Sequence, residues 1–196
     1  MFQVRIHGRG GQGVVSGAEM LSVAAFEGGR HAQAFPSFGS ERTGAPVVAF
    51  CRMDDKPIRL REPIMTPDAL IIQDPTLLHQ VDVFGGLKPD GFILINTSRS
   101  FDQLGLGSFV RQFRPDHLLT VPATELAMKH VGRPVPNVPL LGAFAALGGW
   151  VSLAAVHAAI DDKFQGQVAS GNKAAAKEAY DIVMAQERQA REAHHA

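Results

Sequence analysis

Residues 2–7, Phe-Gln-Val-Arg-Ile-His, place an apolar side chain at every second position. They run without a break into Gly8-Arg9-Gly10-Gly11-Gln12-Gly13, and a helical pattern starts at Val14. A strand that feeds a helix through a short turn commits the chain to an α/β fold, because the helix packs back on the sheet that the strand belongs to. Gly8, Gly10 and Gly13 have the spacing G-x-G-x-x-G. Glycines there let the backbone turn sharply and let a ligand or a second segment come close. The N–H groups that open the following helix form a weak anion site.

The rest of the chain repeats the alternation. Val14–Glu27 reads as a helix, with Val14, Ala18, Leu21 and Ala25 on one face and Gly28-Gly29 to stop it. His31–Phe35 reads as a strand, and a loop over Pro36–Pro46 follows. Val47–Met53 is a candidate antiparallel addition. Ala69–Ile72, Phe92–Ile95 and Leu118–Val121 read as buried strands. Helices are expected over Thr124–Val131, Leu140–Leu147, Leu153–Lys163 and Asn172 to about Ala190, with Ser152 as an N-cap. The expected architecture is a Rossmann-like three-layer α/β domain: a largely parallel sheet, helices on both faces, and C-terminal helices. One domain over residues 1–196 is expected, with a tail that frays from about residue 190.

Several function classes drop out. Lys plus Arg equals Asp plus Glu at 19 each, so nothing points to nucleic acid or an anionic membrane. The uncharged stretch Pro134–Ile160 is too broken by proline and glycine to span a bilayer. Met1 runs straight into a strand with no secretory pattern, so a cytoplasmic location is expected. Cys51 is the single cysteine, which excludes an intramolecular disulfide and a four-cysteine metal or iron–sulfur site on this chain.

The glycine spacing raises a free-standing nucleotide-binding oxidoreductase as one reading. A dinucleotide site needs an acid about 20 residues past the glycines to hold a ribose hydroxyl. Residues 28–40 contain no Asp or Glu. Nor is the turn a P-loop, since Val14-Val15 stand where Lys and Ser/Thr belong. The histidines lack metal-ligand spacing, and no nucleophile elbow occurs. No catalytic and no metal-binding residue is assigned. The segment Phe35-Pro36-Ser37-Phe38-Gly39-Ser40-Glu41-Arg42-Thr43-Gly44-Ala45-Pro46 combines rigid apolar area with a guanidinium, as interfaces do. Phe35, Phe38, Glu41 and Arg42 are the candidate interface residues.

The glycine turn followed by that segment resembles the gamma subunit, or gamma domain, of the 2-oxoacid:ferredoxin (flavodoxin) oxidoreductases, of the pyruvate:ferredoxin oxidoreductase type. The resemblance continues in order through residues 67–76, 91–97, 121–127 and 137–143 and at 172–175, and covers about residues 3 to 185. Thr43, where a second arginine is common, and Gln73 before Asp74 are the small departures. The resemblance implies a complex that converts a 2-oxoacid and coenzyme A to an acyl-CoA and CO2, passing two electrons to ferredoxin or another acceptor. It implies thiamine diphosphate, Mg and 4Fe–4S clusters on alpha, beta and delta subunits, with FAD only on an added subunit where NAD is the acceptor. On this chain it implies a non-catalytic, structural role. Gly8, Gly10, Gly11, Gln12, Gly13 and Arg42 become candidate coenzyme A contacts. Pyruvate is the favoured 2-oxoacid; aromatic, branched-chain and 2-oxoglutarate substrates stay open.

Overall fold

The computed structural model describes residues 1–37 and 42–195. Six strands form one sheet: β1 (Phe2–Arg9), β2 (His31–Pro36), β3 (Pro46–Asp54), β4 (Ala69–Ile72), β5 (Phe92–Asn96) and β6 (Leu118–Val121). The helices are α1 (Val14–Glu27), α2 (Gly107–Val110), α3 (Ala123–Val131), α4 (Asn137–Ala146), α5 (Leu153–Lys163) and α6 (Gly166–His195). Single 3-10 turns lie at Pro75–His79 and Pro115–His117.

The strand order is β2-β3-β1-β4-β5-β6. β1, β4, β5 and β6 run parallel, while β3 is antiparallel to both β1 and β2. The sheet is therefore mixed, and the anticipated antiparallel strand carries a second strand outward with it. The strand after α1 returns not beside β1 but at the rim, because β3 occupies the place next to β1.

Strand alternation divides the core. Phe2, Val4 and Ile6 of β1 join Cys51, Met53, Ile71 and Leu94 on the face that meets α1 and α3–α6. Ile72, Ile93 and Ile95 face the other way, against Leu77, Val83, Leu104 and Phe113. The two layers are unequal: the second consists of loops, the 3-10 turns and the four-residue α2. α6 begins earlier and ends later than its sequence pattern marks. Ala169 extends the buried stripe at one end, and Glu187–Arg191 pairs one turn apart near the other.

The second face of the β2–β3–β1 side carries polar residues among its apolar ones. Gln33 Nε2 donates to the Leu60 carbonyl (2.7 Å), Arg52 to that of Glu62 (2.5 Å) and Arg5 to that of Ile64 (3.3 Å). Three adjacent strands thus hold alternate carbonyls of one extended strap. Arg5 also donates to Val83 and Gly85 carbonyls, and its Nε to His7 Nε2 at 2.9 Å. Burial, and next the Arg5 charge, push the His7 imidazole down to about 3, so the ring is neutral and accepts that bond.

In the unfolded chain His7 titrates at its ordinary value of 6.5. Between the two values the unfolded state binds more protons. The stability tied to His7 is therefore complete above about pH 6.5 and is lost as pH falls toward about 3. Chemical denaturation at pH 7.5 and pH 5 should show a loss on the order of 2 kcal/mol that His7→Gln, whose amide can accept from Arg5, does not share. Equal losses in both proteins would refute this.

Candidate functional site

β1 ends at Arg9 and enters the glycine turn at the carboxyl edge of the sheet. Gly13 has φ +70°, a left-handed conformation that costs a side chain energy. A Cβ there would also meet the Asn137 side chain at 2.5 Å. Asn137, at the start of α4, donates to the Gly13 carbonyl at 3.1 Å. Gly10 lies under residues 42–45. Its N–H donates to the Ala45 carbonyl (2.9 Å) and its carbonyl accepts from Gly44 N–H (3.1 Å). A Cβ on Gly10 would sit 2.2 Å from the Arg42 carbonyl oxygen.

Side chains lock this arrangement. Gln12 Oε1 accepts from Arg9 N–H at 2.8 Å, and Gln12 Nε2 donates to the Asp74 carboxylate at 2.8 Å. Gln73 Nε2 donates to the Gln12 carbonyl at 2.7 Å. Arg9 spans the remaining gap: it donates to the Gly44 carbonyl (3.0 Å), Thr76 Oγ1 (2.9 Å) and Gln80 Oε1 (2.7 Å), with Asp74 at 3.2 Å. Partial burial pushes the Asp74 carboxyl up, but hydrogen bonds from Thr76 and Gln12 and the Arg9 charge outweigh it. The group is held below its ordinary range and stays ionised. Behind it, Asn96 Nδ2 donates to the Gln73 carbonyl (2.7 Å) and to Thr124 Oγ1 (2.8 Å).

A cavity of about 240 Å3 opens beside the turn, lined by Arg9, Gly10, Gly11, Gly13, Val14, Val15, Ser16 and Val47. The first amides of α1 have no partner inside the helix. The lining supplies donors and no carboxylate, so it suits a neutral or anionic group. It holds no group able to act as a nucleophile at neutral pH beyond the Ser16 hydroxyl, which has no base beside it. Among the described residues, no three His, Cys, Asp or Glu side chains are placed to hold a metal ion. Cys51 is fully buried, and burial pushes its thiol up to about 12.

Of the residues singled out in the sequence, Gly8, Gly10, Gly11, Gln12, Gly13 and Arg42 come together here. Gln12 spends both ends of its amide inside the protein. Arg42 is exposed, and its carbonyl closes a turn on Ala45 N–H at 3.0 Å. Phe35 lies elsewhere, against Phe50 at 5.0 Å on the strap side of the sheet. Phe38 and Glu41 lie outside the described residues. Sequence patterns missed Arg9, Asp74, Thr76, Gln80 and Asn137. Only Asp74 leaves a local sign, since an Asp before Pro-Thr caps a turn, and it does accept from Thr76 N–H at 2.9 Å.

Residues 3–182 match the family described as pyruvate ferredoxin/flavodoxin oxidoreductase. The pyruvate/ketoisovalerate oxidoreductases common subunit gamma of Pyrococcus abyssi is 45% identical over 181 residues, 92% of this chain and 96% of that one. Pyruvate synthase subunit PorC of Methanosarcina barkeri is 51% identical over 160 residues, 82% and 85% of the two chains. The crystal structure of the pyruvate oxidoreductase subunit PORC of Thermotoga maritima has the same fold. Its TM-score is 0.76 at 35% identity, over 92% of this chain and 95% of that one.

Gly10→Ala forces residues 42–45 off the turn. It should destabilise the chain by about 1–3 kcal/mol and speed tryptic cleavage after Arg42. Gly11 has φ +93° but open space around its Cβ position. Gly11→Ala should cost about 1 kcal/mol through backbone strain and leave the cleavage rate unchanged. Thermal unfolding and limited proteolysis of both variants test the difference.

Proposed function

This chain belongs to the pyruvate ferredoxin/flavodoxin oxidoreductase family, and on that premise we propose that it is the gamma-type subunit of a 2-oxoacid oxidoreductase complex. The extent of the match carries this reading. It runs through nearly the whole of this chain and of its relatives, not through the glycine turn alone. The complex joins the acyl group of a 2-oxoacid to coenzyme A with release of CO2 and passes two electrons to ferredoxin or another acceptor. Pyruvate is the favoured 2-oxoacid, as in the names of the relatives.

Thiamine diphosphate with Mg and the 4Fe–4S clusters belong to alpha-, beta- and delta-type partner subunits in this reading. The residues here do not fit a cluster, which needs thiolates: the one thiol is buried and protonated. The chain contributes a scaffold at the carboxyl edge of its sheet. Its cavity beside Gly10, Gly11 and Gly13, with exposed Arg42 nearby, is the proposed contact for the phosphates of coenzyme A. Gln12 shapes that turn from within. Phe35, Phe38, Glu41 and Arg42 are the proposed interface with partner subunits. A cytoplasmic location is part of this proposal; separately, no helix among the described residues is long and apolar enough to cross a membrane.

A free-standing nucleotide-binding oxidoreductase is disfavoured by topology. In a dinucleotide fold the ribose-binding acid ends the parallel strand beside the first. Here that neighbour is β4, and the acid after it, Asp74, is already engaged by Arg9 and Gln12.

In the assembled complex, Arg42→Ala should raise KM for coenzyme A about threefold to tenfold and leave KM for pyruvate unchanged. An unchanged KM for coenzyme A removes the proposed contact and leaves the subunit assignment standing. The isolated chain should show no pyruvate-dependent reduction of an acceptor; activity without partners would overturn the assignment itself.

A further inference from the structure

The two rims of the sheet are treated differently. At the β6 rim, Gln186 of α6 donates to the outward carbonyl of Thr120 at 2.9 Å. At the β2 rim, none of the described residues does the same. Ser37 N–H donates to the Val48 carbonyl at 2.9 Å, which fixes the phase of the β2–β3 ladder. Alternate residues of an antiparallel pair exchange hydrogen bonds, so His31, Gln33 and Phe35 bond to β3. The N–H and C=O groups of Ala32 and Ala34, and the C=O of Pro36, therefore point outward. Among the described residues none of them has a hydrogen-bond partner.

Natural edge strands are usually guarded by charge, a bulge or an early proline. β2 carries no charged residue and no bulge, and its proline comes at its last position. Its outward residues are alanines, which leave room beside them on the α1 face. Just before the strand, Phe26 at the end of α1 is 71% exposed. The rim is ready for an added strand with apolar side chains on that face.

We propose that an extended segment of another subunit of the complex adds to β2 as a seventh strand. This rests on the subunit assignment above. The alternative, a second copy of this chain, fits less well. Two β2 strands paired antiparallel about Ala34 would set each Ala32 carbonyl against a Pro36 nitrogen, which bears no hydrogen. Paired about Gln33, they would leave the Pro36 carbonyls unmet, since Arg30 N–H already donates to Ala25. A foreign strand can satisfy two donors and three acceptors at once. Phe35, one of the proposed interface residues, lies within β2 itself, so strand addition would be continuous with the proposed interface.

Hydrogen exchange on the purified complex reads this residue by residue. Ala32 and Ala34 amides should be as protected as those of Gln33 and Phe35, by at least tenfold over an unpaired amide. Fast exchange at Ala32 and Ala34 alone, in a complex that retains its partners, would overturn the added strand and spare the subunit assignment. Recovery of this chain with no partner would overturn both. A photo-crosslinker replacing His31, exposed at the start of β2, should join this chain to a different subunit; a crosslink to a second copy would overturn the proposal.

Ala34→Pro is the companion variant. It removes an outward N–H that the isolated fold does not use, so its circular dichroism and melting should stay near those of the parent. Its binding to the other subunits should weaken at least tenfold. Normal assembly of the variant would overturn the proposal. If Ala34→Pro does not fold, the exchange pattern of the unmodified complex decides alone.

Discussion

Arg5 sets the terms for the whole β2–β3–β1 side. It sits in the central strand with its side chain on the face away from the helices, and it is nearly buried. A buried guanidinium must have its donors met. His7 meets one by staying neutral, and the carbonyls of Ile64, Val83 and Gly85 meet three more of the five. Those carbonyls lie on two loops that the guanidinium ties to the sheet, beside the buried side chains of Ile64 and Val83. The second layer can therefore do without long helices: polar side chains of the sheet hold backbone directly. An apolar residue in place of Arg5 would leave those loop carbonyls without donors.

At the carboxyl edge the same logic works through an ion pair. Arg9 and Asp74 are brought together by parallel neighbours β1 and β4, and Gln12 ties the glycine turn to the same carboxylate. Residues 42–45 then rest on Gly10 and are held by Arg9. The position of Arg42 depends on a carboxylate that follows a different strand, thirty-two residues further along. Gly10 matters here for what it lacks: its missing side chain is the space that the Arg42 carbonyl occupies.

The elements whose signals are local could be read in the sequence. β1, α1, β4, β6 and α5 each have a continuous apolar pattern with a clear stop, and they appear with nearly the same bounds. The place of β2 could not be read, because strand order depends on which strand fills the slot next to β1. Nothing within residues 31–36 carries that information. The strap of residues 60–64 has no periodicity; it is held by Gln33, Arg52 and Arg5, which are distant in the chain. At the candidate site the glycines were visible because glycine marks backbone geometry. Arg9, Asp74 and Gln80 were not, since long-range pairs between charged or amide side chains look like ordinary surface composition. The family resemblance rested on motif order, which survives ignorance of these contacts.

Cys51 lies in the middle of β3, closed off by the sheet and α1, with a thiol pushed to about 12. Disulfide exchange needs a thiolate within reach of its target. The subunit is thus inert toward mixed disulfides while its fold is closed. The same isolation makes the residue a clock. A disulfide reagent can label Cys51 only when β3 separates from its neighbours, so the rate of labelling counts openings of the core itself. With one cysteine in the chain, that count needs no engineered probe.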